Sequence, residues 1–329
     1  MANCEYDIAK LSSPSGHTLL DARHLIEVRE TLGKGLGIFS REKIPRGTRI
    51  VAESPLLKAT AVSSHVVNVQ AAFNNLPPPK QRAYLSLHGH ASETLKKEND
   101  WESLPDLNRR VLAIYFANHW GRDVFWIASR FNHSCIPNIH NAYNPTIQKE
   151  TFHSIRDIEP DEELTVSYVS GMCVRAERQA QLNKWGFQCK CPACQDTPDG
   201  NKIEQQLTRL AMLRQELEMA APVSLPSKKN LDTHRKMAAL MHSTGLVGKY
   251  LNNCYLDAAL CSAIMGNVQM AMLWTEKEVE VDGYCLGQDH PDYQKEVGVL
   301  RQLRSAAKSK KPFHYTHIKW VLDWDEGPD

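Results

Sequence analysis

The sequence predicts an α+β protein: a β-rich N-terminal half, split by a helical insertion, followed by an all-α helical-repeat region. Three observations predict it. Short strand-like runs at 27–53 and again at 124–168 are broken by Gly and Pro, a pattern of compact β-structure rather than βαβ units. The stretch between them, 59–120, carries the breakers Pro77-Pro78-Pro79 and Leu104-Pro105 among helical segments. From Lys202 onward the chain reads helical, with apolar residues at helical spacing.

At 329 residues there is room for about two domains. Apolar residues make up 42% and charged residues 23%, as in ordinary soluble globular proteins. A net charge of +1 gives no global pull towards nucleic acid or membrane. A basic partner stays compatible, because local acidic patches do not appear in a sum. The first thirty residues lack a charged start followed by an apolar core, so no signal peptide is expected. No apolar run reaches transmembrane length. Nine cysteines at uneven spacing favour metal over disulfides in an intracellular chain. The cytosol or the nucleus is the expected compartment.

In order, residues 1–24 form a polar N-terminal extension with Ser12-Ser13-Pro14-Ser15-Gly16 as a loop. Glu27 to Glu30 reads as a strand, Gly33 to Gly37 as a turn, Ile38-Phe39-Ser40 as the next strand and Thr48 to Glu53 as a third. The helical insertion, 59–120, contains a helix over Leu107 to Ala117. Strands follow at Val124 to Ile127, Ile139 to Tyr143, Thr151 to Ile155 and Leu164 to Tyr168. A helix over 174–186 leads into a cysteine cluster within 173–199, and Thr197 to Asn201 is a boundary. The helical region, 200–311, has segments at 203–220, 231–253, 255–265, 267–281 and 290–306, with a polar break at Ser224 to Asn230. The tail, 312–329, holds Phe313, Tyr315, Trp320 and Trp324, which would dock on the body or fray.

Three stretches carry chemistry. Cys189-Lys190-Cys191-Pro192-Ala193-Cys194 supplies three thiols, and a tetrahedral zinc needs four ligands. Cys135 is the best fourth, because it lies in the other unusual run, Arg130-Phe131-Asn132-His133-Ser134-Cys135-Ile136-Pro137-Asn138. Cys4 and Cys173 are alternatives by arithmetic, and His133 or His140 in principle. The bland reading, thiols near an exposed turn, ranks below zinc because reactive thiols so close together are a liability. A closed four-thiolate site ties segments together rather than doing chemistry. Lys34-Gly35-Leu36-Gly37 is a weak signal alone: a hairpin turn, or glycines that let backbone amides approach a cofactor. It lacks the third glycine and the following helix of a dinucleotide fingerprint. Asn132 and His133 read by default as a satisfied core pair. Tyr168, on the same strand face as Leu164 and Val166, reads by default as a core tyrosine with its hydroxyl bonded.

Together, in order and spacing, four motifs resemble the SET-domain protein lysine methyltransferases. They are Lys34 to Phe39, Phe131 to Asn138, Glu162-Glu163-Leu164-Thr165-Val166-Ser167-Tyr168, and Gly186-Phe187-Gln188-Cys189 to Cys194. The resemblance covers about residues 25–195 and is nearest the SET-and-MYND-type enzymes and fungal SET proteins. It implies SET-domain parts at 25–58 and 121–172 and a post-SET zinc region at 173–199. The C-terminal region is similar to tetratricopeptide repeats around Gly266 to Ala271 and Leu286 to Pro291, without a full 34-residue series. Residues 59–120 contain no cysteine, so the MYND finger is absent. Asp161 stands where the family usually has Gly, and Asp tolerates turn conformations.

The resemblance implies S-adenosyl-L-methionine as methyl donor and a target lysine entering from the opposite side. Lys34, Gly35 and Leu36 would lie against the donor's methionine end. Asn132 and His133 would hold its amino group and adenine, Phe187 would stack on the adenine, and Asn118 would contact the cofactor. Tyr168 would be the catalytic residue at the transfer point. Phe116 and Trp120 would line the lysine channel with it. Cys135, Cys189, Cys191 and Cys194 would bind one structural zinc. The expected partner is a protein substrate with a target lysine, a histone among others, and the helical region would take a partner peptide. A small-molecule methyltransferase and a non-catalytic interaction protein are the alternatives. Lys308-Ser309-Lys310-Lys311 is too short for a nuclear signal and reads as a solvated helix end.

Overall fold

A computed structural model describes residues 20–31, 33–59, 65–220, 227–309 and 313–318, without the side chains of 65–67, 220 and 317. Cys4, the loop at 12–16, Trp320 and Trp324 lie outside the described residues.

Strands β1 (Ile26–Thr31) and β2 (Gly35–Ser40) form a hairpin in which Thr31 faces Gly35 and Val28 faces Ile38. β2 therefore starts inside the expected Gly33–Gly37 turn: the strand ladder extends through Gly37 and Leu36 to Gly35. β3 (Arg49–Glu53) and the short β4 (Leu57–Lys58) follow. The insertion is helical: α1 (His65–Asn74), α2 (Pro78–Leu85), α3 (Glu93–Glu98) and α4 (Asp106–Asn118). Prolines set two of these starts. Pro78 opens α2, and Pro105 precedes α4, where a missing N–H costs nothing. Buried Tyr84, Val111, Leu112 and Ile114 give the insertion a core of its own.

Beyond it come β5 (His119–Trp120), β6 (Asp123–Val124), β7 (Asn132–His133), β8 (Ile139–Asn144), β9 (Lys149–Ser154) and β10 (Glu163–Val166). The expected strand at Val124 to Ile127 stops at Val124. The reason is Glu53, whose carboxylate accepts the backbone N–H groups of Trp126, Ile127 and Ala128 at 2.9–3.1 Å, replacing a strand partner with a side chain. Three small sheets result, with strand orders β1-β2-β10-β7, β3-β9-β8 and β4-β6-β5. They enclose a cluster containing Ile26, Ile38, Ile50, Val51, Phe131, Phe152, Leu164 and Val166.

α5 (Arg175–Leu182) leads to the cysteines, then α6 (Pro198–Ala220), α7 (Lys228–Thr244), α8 (Lys249–Ile264), α9 (Val268–Cys285) and α10 (Pro291–Lys308) pack each on the next. The 197–201 boundary is instead the first turn of α6, with Pro198 at its start. The expected helix over 231–253 is two helices, because α7 ends on Gly245 and α8 starts after Gly248. Ser227 and Asn230 form a reciprocal cap on α7. Phe313 and Tyr315 pack on a cluster of Ala263, Ala271, Val299 and Leu303, so this part of the tail docks. Among the described residues no helix is long and apolar enough to cross a membrane.

The helical layer contains a conflict. Glu278, Asp282 and Glu296 are buried in one region, and only one of their oxygens is satisfied by a donor from α8, Asn252 Nδ2 to Asp282 Oδ1 at 2.7 Å. Both Glu278 oxygens, Asp282 Oδ2 and Glu296 Oε2 have no partner among the described residues. Burial, followed by the neighbouring carboxylates, pushes Glu278 and Asp282 well up, and burial with Asp292 pushes Glu296 up to about 7. A raised folded-state value means the stabilising contribution is complete below the unfolded carboxylate range and is lost as pH rises through about 7. The melting temperature of the wild type minus that of Glu296→Gln should therefore fall between pH 5 and pH 8. Buried histidines such as His234, which titrate in the opposite sense, cancel in this difference.

Candidate active site and metal centre

The site is assembled where β7 runs parallel to β10. Asn132 faces Thr165 and His133 faces Val166, although thirty residues and a β-hairpin separate them in sequence. Beyond the short ladder, Asn138 continues it with a side chain. Its backbone N–H donates to the Thr165 carbonyl, its Oδ1 accepts from the Thr165 N–H at 2.7 Å, and its Nδ2 donates to the Glu163 carbonyl at 2.9 Å. Asn138 is 1% exposed, so these bonds are made in a dry place.

On the other side, Asn132 Nδ2 donates to Glu163 Oε1 at 2.8 Å and to the Leu36 carbonyl at 3.3 Å. Lys34 Nζ meets the second Glu163 oxygen at 2.7 Å. Lys34 and Asn132 thus meet at one carboxylate, and Asn132 ties it to the Leu36 carbonyl. Gly35 lies within the same strand at φ 74°. Gly37 makes the gathering feasible: a Cβ there would lie 2.6 Å from Thr31 Oγ1, 2.8 Å from Asn132 Nδ2 and 2.9 Å from Glu163 Oε1.

Tyr168 lies two residues past the end of β10 and packs on the cluster that holds Leu164 and Val166. Its hydroxyl donates to the Phe131 carbonyl at 2.6 Å, and burial pushes its phenol up, so the proton stays on the oxygen at neutral pH. Its backbone N–H donates to His133 Nδ1 at 3.0 Å. Burial lowers His133 to about 4, so the ring is neutral. With Nδ1 accepting, the remaining ring proton sits on Nε2, 3.3 Å from Cys135 Sγ. His133 therefore reads Tyr168 on one edge and the thiol cluster on the other. Around them stand two more rings. Trp185 is 5.0 Å from Tyr168, and Phe187 is 6.5 Å from Tyr168 and 6.2 Å from His133.

The other expected residues lie further out. Both amide protons of Asn118 go to main-chain carbonyls, of His88 at 2.6 Å and Ile114 at 2.7 Å, so it fastens a loop to α4. Phe116 packs within the insertion against Tyr115 and His119. Trp120 stands edge-on to Phe152, in the cluster that Tyr168 also touches.

Cys135, Cys189, Cys191 and Cys194 have their sulfurs within 4.8 Å of one another. Cys135 Sγ is 3.9 Å from Cys189 Sγ and 3.5 Å from Cys194 Sγ, bracketing the edge of about 3.8 Å that Zn–S bonds of about 2.3 Å give a tetrahedron. Cys173 is elsewhere, bonded to the Ser170 carbonyl, and His140 pairs across β8 and β9 with His153. The donor set fits zinc chemically. Backbone N–H groups of Cys135 and Cys191 point at Cys191 and Cys189 sulfurs, and Arg178 reaches Cys194, all at 3.4–3.7 Å, as suits thiolates. Without a cation the thiols oppose one another: hydrogen bonding to Cys189 pushes Cys135 up, while hydrogen bonding from Cys135 holds Cys191 down. A dication bound by all four resolves that opposition.

Sequence reasoning missed four participants. Glu163 lay inside a quoted motif without a role. Trp185 had a signal, an aromatic two residues before Phe187 across a glycine. His90 had none. Arg178, fully buried, donates to the Cys173 carbonyl and pairs with Glu204 at 2.7 Å, joining α5, α6 and the thiols; a lone arginine on an amphipathic helix does not announce this.

With this geometry in view, the comparisons are consistent. Residues 35–169 match the family model described as SET domain. The chain carries a SET domain. Among its relatives, "Histone-lysine N-methyltransferase set5" of Schizosaccharomyces pombe is 27% identical over 282 residues, covering 83% of each chain. "SET domain and MYND-type zinc finger protein 6" of the same organism is 29% identical over 184 residues, 50% of this chain and 37% of that one. Human "N-lysine methyltransferase SMYD2" is 28% identical over 95 residues, 29% of this chain and 21% of its own length.

Elemental analysis of purified protein should find one zinc per chain. Cys191→Ser should lower that content sharply and, since structural zinc contributes folding free energy directly, lower the melting temperature as well.

Proposed function

We propose that the chain is an S-adenosyl-L-methionine-dependent protein lysine N-methyltransferase. The observation that carries the reading is the placement of Tyr168 against His133 and Phe187, where three of the four motif segments meet, within a SET domain. The relatives' names support methyl transfer to a lysine, and a histone is the substrate class to try first.

The donor would supply an electrophilic sulfonium methyl. The donor's charged amino-acid end would bind where Lys34 and Asn132 meet Glu163, beside the Leu36 carbonyl that accepts from Asn132, and Phe187 would cover its base. The incoming lysine must be neutral to attack, yet free lysine titrates near 10.4 and is mostly charged at pH 7. The rings of Tyr168 and Trp185 would exclude water from the amine and favour its neutral form. The amine lone pair forms the new C–N bond as the C–S bonding pair returns to sulfur. Tyr168 is anchored through its hydroxyl to the Phe131 carbonyl, so its oxygen is a fixed dipole at the transfer point and not a base. Rate gain on this reading comes from alignment in a dry, pre-set site. The helical region is taken as a tetratricopeptide-like scaffold on the strength of its sequential helix packing.

Purified protein given labelled S-adenosyl-L-methionine with histones should transfer label to lysine. Tyr168→Phe should cut turnover by about 100-fold or more while zinc content stays unchanged. Unchanged turnover would remove Tyr168 from the transfer point. Gly37→Ala, which forces Asn132 and Glu163 apart, should abolish donor binding in calorimetry while leaving the zinc in place.

A further inference from the structure

Phe187, the ring assigned to cover the donor, is 36% exposed and sits on a short segment, Trp185-Gly186-Phe187, between α5 and the thiol cluster. Such a segment needs fasteners to hold one position, and two sets are present. On its C-terminal side the Gln179 amide of α5 spans the chain: Nε2 donates to the Phe187 carbonyl at 2.9 Å, and Oε1 accepts from the Cys189 N–H at 3.0 Å. On its N-terminal side both fasteners belong to the helical insertion. Trp185 Nε1 donates to the Ala117 carbonyl in the last turn of α4 at 3.1 Å. The His90 ring lies directly against Gly186.

That last contact is the tightest. Gly186 has φ 74°, and a Cβ there would fall 2.3–2.9 Å from Cε1, Nε2 and Nδ1 of His90. The ring therefore occupies the space that a side chain at 186 would fill. His90 is itself held by α4: its N–H donates to the Ala113 carbonyl at 3.0 Å, and Asn118 bonds the His88 carbonyl at 2.6 Å. Gly89 between them presses on Ala113 and Ile114, with its absent Cβ 3.2–3.3 Å from both. The loop at 88–90 and the Trp185 anchor are thus mounted on one helix.

We propose that His90 is a positioning residue: through Gly186, the helical insertion fixes Phe187 over the donor pocket and so sets donor affinity. This rests on the methyltransferase reading above and assigns a role to a residue outside its motifs. The role is one of shape. A flat ring at 90 holds the segment, and a methyl group does not. It also accounts for Asn118, whose amide is spent holding the same loop.

The test compares His90→Ala and His90→Phe with the wild type in two measurements. The first needs no ligand: limited trypsin cleavage after Lys184 and Lys190, the exposed lysines that flank the segment. The second is calorimetric binding of S-adenosyl-L-homocysteine. His90→Ala should speed cleavage at these two sites several-fold and weaken binding by about tenfold, with zinc content unchanged. His90→Phe should stay close to the wild type in both. Gly186→Ala should damage the wild type more than it damages His90→Ala, since removing the ring removes the collision. Wild-type values for His90→Ala, or a His90→Phe as impaired as His90→Ala, would overturn the proposal. A wild type that does not bind the ligand would remove the methyltransferase reading, and the trypsin comparison would still decide whether His90 holds the segment.

Discussion

The short parallel contact between 132–133 and 165–166 is the constraint on which the rest depends. A parallel pair requires a crossover connection, and here that connection is the β8–β9 hairpin with the turn at 157–161. Two ladder positions are a weak hold, so the chain supplements them with Asn138, whose side chain bonds both Thr165 and Glu163 where backbone pairing has ended. Each net hydrogen bond is worth about 1 kcal/mol, but leaving such buried groups unpaired costs about 1–3 kcal/mol apiece. The arrangement is therefore specified more by what any slipped register would leave unsatisfied than by the bonds it gains. Register is what delivers Asn132 to Glu163, His133 to Tyr168 and Cys135 to the other thiols.

The thiol cluster extends that constraint to the helices. Cys135 belongs to the sheet half, while Cys189, Cys191 and Cys194 follow α5, and all but Cys194 are buried. Around them the polar contacts point inward: Arg178, with its guanidinium shared between Glu204, the Cys173 carbonyl and Cys194, brings α6 onto the same centre. A buried arginine is costly unless paired; here both terminal nitrogens of Arg178 are paired across three segments, while its Nε has no partner among the described residues. His133 contacts both Tyr168 and Cys135, so the thiol cluster and the proposed transfer point share one imidazole, whose tautomer is set by a backbone N–H.

Much of this was legible in the chain, and the reason is local chemistry. Cysteine spacing, an Asn-His pair and a Tyr at the end of an alternating run are dense in information within a few residues, so the four thiols and the neighbourhood of Tyr168 could be anticipated. Failures fall where a distant group replaced a local one. The strand expected to reach Ile127 stops because Glu53, more than seventy positions away, takes its N–H groups. The helix expected over 231–253 breaks at a glycine pair that apolar periodicity alone does not register. Asn118 carries a polar side chain at a helix end in sequence, and only the fold shows that its protons are consumed by His88 and Ile114. Glu163 illustrates the same limit: its motif was visible, but its task needed β2, β7 and β10 side by side.

How the helical layer bears on the site follows from where it touches the sheet half. Arg49 of β3 pairs with Asp289, and His290 Nε2 lies 3.0 Å from the Tyr143 carbonyl of β8, so the start of α10 is bound to the β3-β9-β8 sheet. Tyr250 of α8 accepts the Gly171 N–H at 3.2 Å, three residues beyond Tyr168, and a Cβ on Gly171 would lie 3.1 Å from Leu246. The loop that carries the tyrosine is thus enclosed between its own strand and a helix of the C-terminal layer. A close-packed contact of this kind transmits displacement, because neither side has room to relax. Movement of α8 would shift the Tyr168 loop directly, whereas Phe187 answers to α4 and α5. On this geometry the two walls of the proposed transfer site are held by different parts of the chain, the Tyr168 side by the C-terminal helices and the Phe187 side by α5 and the insertion.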